Sequence, residues 1–260
     1  MQGEMAPMTS LEDRELVLES RTLKARLYVP VNEEAQALVV YFHGGDFVMG
    51  DLVTHEWLCR RLAFDTKMRF LAVDYRLAPE HPFPAGLNDA LDAIRYVATH
   101  RSEFGDESAQ LIVMGDSAGA NLATVAATLL RDENLGIVAQ VLIYPTLGPE
   151  LVTDSAHRYG SGYLLDVESL RYDYGQYLGE FGDHTDPRVT PLLSTDLFRE
   201  RRRRSWSSPS VIPCATKEWP TRVCLDTLAS RWNSSKRRVW CTVFWRWAAS
   251  FPKRWLLSTT

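Results

Sequence analysis

What this sequence lacks narrows it before anything it contains. No stretch of its 260 residues approaches the ~20 consecutive apolar residues that cross a bilayer, so no membrane insertion is expected. Its four cysteines, Cys59, Cys214, Cys224 and Cys241, form no Cys-x-x-Cys pair and fall short of the density of a secreted disulfide scaffold. They read as free thiols in a reducing compartment. Residues Met1 to Pro7 have neither a basic start nor an apolar stretch, so a secretory signal is not expected and the location read from sequence is cytoplasmic. Two further shortages are local. No histidine follows His184, and no glycine follows Leu197.

What is present divides near Leu197. The length suits one large domain with a substantial core, or two small ones. The net charge of −4 conceals an asymmetry: from Phe198 onward there are 14 Lys and Arg against 3 Asp and Glu, and before it 15 against 30. Seven of the eight tryptophans also fall in that tail. Before it, Ala37 to Phe42, Phe70 to Asp74, Leu111 to Met114 and Val138 to Tyr144 read as strands. They are almost uninterrupted in hydrophobicity, as strands covered on both faces are. Helical patterns run from His55 to Phe64, Leu87 to Thr99 and Ala118 to Arg131. In the second of these, Leu87, Ala90, Leu91, Ile94 and Val97 share one face. This alternation predicts a mostly parallel sheet with helices on both faces. Residues 146–185 lose the rhythm and read either as a lid segment or as surface helices.

The chemistry concentrates in two short segments. Gly115-Asp116-Ser117-Ala118-Gly119 follows an apolar strand and opens an Ala-rich helix. In that setting a Gly-x-Ser-x-Gly turn pushes the serine hydroxyl out above the sheet, and the glycines let the backbone pass close by. The bare pentapeptide is common by chance; the strand before it and the helix after it give it meaning. His43-Gly44-Gly45 follows the strand ending at Phe42. A Gly-rich loop there can aim backbone N–H groups at a developing oxyanion, which assigns Gly44, Gly45 and Ala118 as donors and His43 as the loop's anchor.

These segments carry a resemblance. The stretches Tyr41 to Phe47, Asp74 to Ala85, Gly115 to Asn121 and Asp186 to Leu193 resemble the hormone-sensitive-lipase family of α/β-hydrolases, in its order and spacing, over about residues 20–197. The resemblance implies an α/β-hydrolase fold and hydrolysis of short- to medium-chain carboxylic esters through an acyl-enzyme on Ser117. It implies a Ser-Asp-His triad, a small-molecule ester as the partner, and neither a metal nor an organic cofactor. Relatives that hydrolyse amide or acetyl groups, and non-catalytic ligand-binding relatives such as plant hormone receptors, remain alternatives. Two features depart from the family. Asp46 stands where the loop usually has a third glycine, and only about 20 residues precede the segment from Leu23 to Tyr28, where the family usually carries a longer cap.

The triad is not completed. The family places its Asp and His well after Leu193, within Asp-Pro-Leu-Arg-Asp-Glu-Gly and His-Gly-Phe segments. Here the tail offers no histidine, and its single aspartate, Asp226, matches neither. Degenerate back-translation of the tail accounts for this. Read from the third base of each codon, Ser210 onward permits Asp-Pro-Leu-Arg-Asp-Glu-Gly, and Val239 to Trp245 permits Val-Val-His-Gly-Phe-Leu. Residues 198–260 are therefore expected to be a frameshifted product, with the last strands and helices of the fold missing or disordered. On that reading the Arg run from Arg201 to Arg204 and the scattered tryptophans signal no nucleic-acid binding. His157 and His184 are the histidines left as stand-ins for the base, and the chain as written is expected to have low or no activity.

Overall fold

The computed structural model describes residues 4–194, apart from 35–36, 150–156, 158–159, 163–164 and 181. Among the described residues the strands and α-helices run in the order β1 (Met8–Val17), β2 (Thr22–Pro30), β3 (Ala37–Phe42), α1 (Glu56–Thr66), β4 (Arg69–Val73), α2 (Ala85–Thr99), β5 (Gln110–Asp116), α3 (Ser117–Leu129), β6 (Ile137–Ile143) and α4 (Val167–Leu178). The strands form one sheet in the order β1-β2-β4-β3-β5-β6. β1 and β2 pair antiparallel, as do β2 and β4, whereas β4, β3, β5 and β6 run parallel. The expected strands and helices are all present, with ends shifted by a few residues. The antiparallel pair β1–β2 is an addition that the apolar-run pattern did not reveal, because β1 alternates exposed and half-buried residues.

The sheet is covered on both faces, and the strands show it by their two-residue period. Leu38, Val40 and Phe42 of β3 join Leu71, Val73, Leu111 and Val113 in one cluster, closed by Leu87, Ala90, Ile94 and Val97 of α2 and Leu122 of α3. The alternate residues Val39, Tyr41, Phe70, Ala72, Ile112 and Met114 meet Cys59, Leu62 and Ala63 of α1 on the other face. Ten residues of α3 are buried, which its run of alanines permits by keeping the helix thin against the sheet. One buried ion cluster fastens the edge of this frame. Asp89 of α2 is fully buried and accepts from Arg21 Nε at 2.6 Å, and from the Arg76 backbone N–H and Nη2, each at 2.8 Å.

Part of the segment read as a lid or surface helices is α4. Asp166 caps it by accepting from the Glu168 N–H at 2.9 Å, and Leu170, Tyr174 and Tyr177 are its buried residues. The tail expected to be frameshifted, with the C-terminal strands it would replace, lies outside the described residues. No described helix is long and apolar enough to cross a membrane.

Candidate active site

Ser117 stands where β5 turns into α3, with φ of 49°, in the left-handed region that a side chain enters only under strain. The two glycines of the pentapeptide are there because the backbone closes on itself. A Cβ on Gly115 would fall 2.4 Å from the carbonyl carbon and oxygen of Gly119, and one on Gly119 would fall 2.1 Å from the Phe42 carbonyl oxygen. The elbow is held from the far side by the Thr146 N–H, which donates to the Ser117 carbonyl at 3.3 Å. The Ser117 side chain is half-buried, and among the described residues its hydroxyl has no hydrogen-bond partner.

The parallel register places the second segment beside the first. Phe42, the last residue of β3, pairs with Gly115 of β5, so the loop from His43 begins against the elbow. Gly45 takes φ of 123°, and a Cβ there would collide with the Met49 carbonyl oxygen at 2.1 Å. Of the three donors assigned from sequence, Gly44 needs correction. Its N–H donates to Asp116 Oδ1 at 2.9 Å, so it is spent inside the protein and cannot serve an oxyanion. The N–H groups of Gly45 and Asp46 have no partner among the described residues. Ala118, in the first turn of α3, has no intrahelical acceptor for its own.

Behind the loop, the buried Asp116, Tyr41, His43 and Tyr75 form a polar core that Tyr144 and His55 flank from less buried positions. The Asp116 carboxylate accepts hydrogen bonds from Tyr41 Oη, from Tyr144 Oη at 3.1 Å and from the Gly44 N–H; His55 Nε2 lies 3.7 Å from its Oδ2. Burial works to raise the Asp116 carboxyl, but the donors of His55, Tyr41 and Gly44 outweigh it and hold it below the usual carboxylate range. His43 is buried and stacks on Tyr75 at 4.5 Å, while its Nδ1 meets the Gly44 carbonyl at 2.8 Å and Tyr75 Oη donates to its own carbonyl at 2.7 Å. Burial pushes its imidazole down to about 4, so it is neutral at pH 7 and holds the loop by packing and hydrogen bonds.

Helix α4 closes over the loop. Phe47, with φ of 67°, stacks on Tyr177 at 3.8 Å between centroids and meets Tyr174 edge-on at 5.6 Å. The Phe83 N–H donates to the Tyr177 carbonyl at 2.7 Å, tying α4 to the segment before α2. Asp46 sits half-buried in the loop; burial first, then the charge of Asp173 on α4, raise its carboxyl above the usual range. His157 and His184 are both exposed, and among the described residues no histidine reaches the Ser117 hydroxyl. Asp116, Tyr41, His55 and Tyr144 escaped sequence reasoning. The pentapeptide contains Asp116, but only the fold shows which donors surround it.

A family model described as alpha/beta hydrolase fold matches residues 39–234, a span that runs past Leu197 into the tail. The ethyl acetate hydrolase of Pseudomonas putida is 41% identical over 182 residues, covering 68% of this chain and 57% of that protein. The arylesterase of Saccharolobus solfataricus is 34% identical over 193 residues, covering 74% of this chain and 63% of that one. Among solved structures, an alpha/beta hydrolase from the metagenome of Lake Arreo superposes with a TM-score of 0.70 at 34% identity, covering 75% of this chain and 62% of that one. A thermostable carboxylesterase cloned from a metagenomic library gives 0.68 at 35% identity, covering 74% and 66%. The chain thus spans less than two thirds of the length of these relatives.

Proposed function

This chain belongs to the α/β-hydrolase fold family, in its hormone-sensitive-lipase branch, and on that footing we propose that its site is built to hydrolyse carboxylic esters of short to medium acyl chains. Ser117 Oγ attacks the ester carbonyl, and the N–H groups of Gly45, Asp46 and Ala118 receive the charge that develops on its oxygen. The alcohol leaves, an acyl-enzyme remains on Ser117, and water releases the acid. His43 anchors the donor loop. The observation that carries the reading is the strained φ of 49° at Ser117 directly beside a loop whose next two N–H groups are unspent. The site's named relatives are ester hydrolases, which supports the same substrate class.

The base is a separate matter. A serine hydroxyl needs one, and the base needs a carboxylate to orient it. We assign both to residues encoded beyond Leu197 in another reading frame, which leaves this chain with the nucleophile and the oxyanion donors alone. A triad enzyme stripped in this way retains only what binding and the oxyanion hole supply.

Hydrolysis of p-nitrophenyl acetate by this chain, by its Ser117→Ala variant and by a frame-restored version tests both halves. The restored chain should turn over roughly 10⁴-fold or more faster than the chain as it stands, and lose that activity with Ser117. Equal serine-dependent rates would overturn the account of the missing base. A restored chain without serine-dependent turnover would sink the esterase reading itself. The nucleotide sequence across codons 196–199 decides the frameshift directly: an intact frame with no alternative reading into Asp-Pro-Leu-Arg-Asp-Glu-Gly would refute it.

A further inference from the structure

Asp116 immediately precedes the nucleophile, so its carboxylate is fixed to the elbow. Its two oxygens are met by groups from four other places in the chain. Oδ1 accepts from Tyr41 of β3 and from the Gly44 N–H of the donor loop at 2.9 Å. Oδ2 accepts from Tyr144, which follows β6, at 3.1 Å and faces Nε2 of His55, the residue before α1, at 3.7 Å. The loop is pressed against it: a Cβ on Gly44 would sit 2.5 Å from Oδ2. Resting on the esterase reading above, we infer that Asp116 is the positioning residue of the oxyanion loop, with His55 securing its second oxygen.

The physical case is one of exclusion and orientation. A carboxylate at 4% exposure is costly to keep charged unless its lone pairs are filled, so it binds whichever donors reach it. One of those donors is the Gly44 peptide. Once that N–H is turned toward Asp116, the peptide plane is set, and the following N–H groups of Gly45 and Asp46 are left without a partner in the protein. The charge-assisted bond is about twice as strong as a neutral one, which ties the loop firmly to the turn that bears Ser117. Asp116 does not touch substrate. It fixes the distance between the attacking oxygen and the donors, a quantity for which ~1 Å is worth ~100-fold in rate.

The test follows hydrogen exchange at the Gly44 amide together with phosphorylation of Ser117 by diethyl p-nitrophenyl phosphate, in the full chain. In Asp116→Ala, exchange at Gly44 should quicken by about 10- to 100-fold, and Ser117 labelling should slow by a similar factor. The amides of Ile112 and Val113 within β5 should keep their protection. Asp116→Asn retains the shape and a neutral acceptor, so both effects should shrink to about 3- to 10-fold. His55→Gln, at a partly exposed site, should give about 2- to 5-fold in each. If Asp116→Ala does not fold, the other two variants decide. Unchanged Gly44 exchange in both of them would overturn the inference, as would faster exchange with undiminished labelling. If the unsubstituted chain is not labelled at Ser117, as its missing base allows, Gly44 exchange alone settles whether Asp116 holds the loop, and the ester reading stands or falls separately on the frame-restored chain.

Discussion

Replacing Gly119 by alanine tests how tightly the elbow and the donor loop are fitted to each other. The added Cβ would lie 2.1 Å from the Phe42 carbonyl oxygen and 2.4 Å from that of His43, whereas ordinary contact begins at 3.4 Å. Both obstacles are backbone, so no side chain can swing aside. The end of β3 and the first turn of α3 must separate by ~1 Å, since atoms in a packed interior sit at van der Waals contact. Overpacking of this kind costs about 1–3 kcal/mol, and the rigidity of both partners puts the expected loss near 3. With a urea slope of about 2 kcal/mol per molar, the unfolding midpoint should fall by about 1.5 M. The same ~1 Å moves Gly45 and Asp46 away from Ser117 Oγ and should slow labelling of Ser117 by ~100-fold. Gly175→Ala is the matched control. Its Cβ would meet nothing within 4 Å, in the interior of α4, so it should gain about 0.5–1 kcal/mol. An unchanged midpoint for Gly119→Ala, with labelling retained, would refute the claim that the two segments are held in contact.

Three further perturbations follow from the structure. Asp89→Ala removes a fully buried carboxylate from two arginines; because Arg76 and Arg21 keep 33% and 21% of their side-chain surface, the urea-measured loss should be about 2–3 kcal/mol rather than more. Tyr177→Phe deletes a buried hydroxyl that has no partner among the described residues and should be neutral or stabilising by up to ~1 kcal/mol in the same assay, a clear loss speaking against that placement. His43 is held at about 4 in the fold against an ordinary value near ~6.5, so between those values the unfolded chain binds a proton that the native chain refuses. Its contribution is intact above pH ~6.5 and is lost as the pH falls toward 4, by up to ~3 kcal/mol, and urea titrations of His43→Gln should show a flatter fall over that window.

The geometry of this site was legible in sequence wherever a local backbone requirement forces a residue type. Gly115 and Gly119 are fixed by close approach, and Ser117 by its place between an apolar strand and an Ala-rich helix. The parallel sheet was legible for a similar reason, since β3, β4 and β5 are covered on both faces and must be apolar throughout. β1 gave no such signal because only one of its ten residues is buried. Which N–H groups are free was not legible. Gly44 and Gly45 are chemically alike, and only the register of β3 against β5 turns the first toward Asp116. The same holds for α4, whose packing on Phe47 depends on long-range contacts of Tyr174 and Tyr177 that no spacing encodes.

The loop's unusual residue is best understood through where negative charge is tolerated. A site that must accept a developing oxyanion cannot have free carboxylates facing it, since like charges a few ångströms apart in a low-dielectric pocket repel by several kcal/mol. Two aspartates nevertheless flank the donors. Asp116 keeps its charge, but that charge is taken up by Tyr41, Tyr144, Gly44 and the adjacent His55 on the far side of the loop. Asp46 has no such donors among the described residues; burial, followed by the neighbouring Asp173, raises its carboxyl above the usual carboxylate range. The first turn of α3 adds a positive helix end at Ala118. If this division of charge permits Asp46, then Asp173→Asn, by removing the like charge, should lower the Asp46 titration midpoint measured by carboxyl NMR. An Asp46 midpoint that does not move in Asp173→Asn would refute the coupling between the two carboxylates.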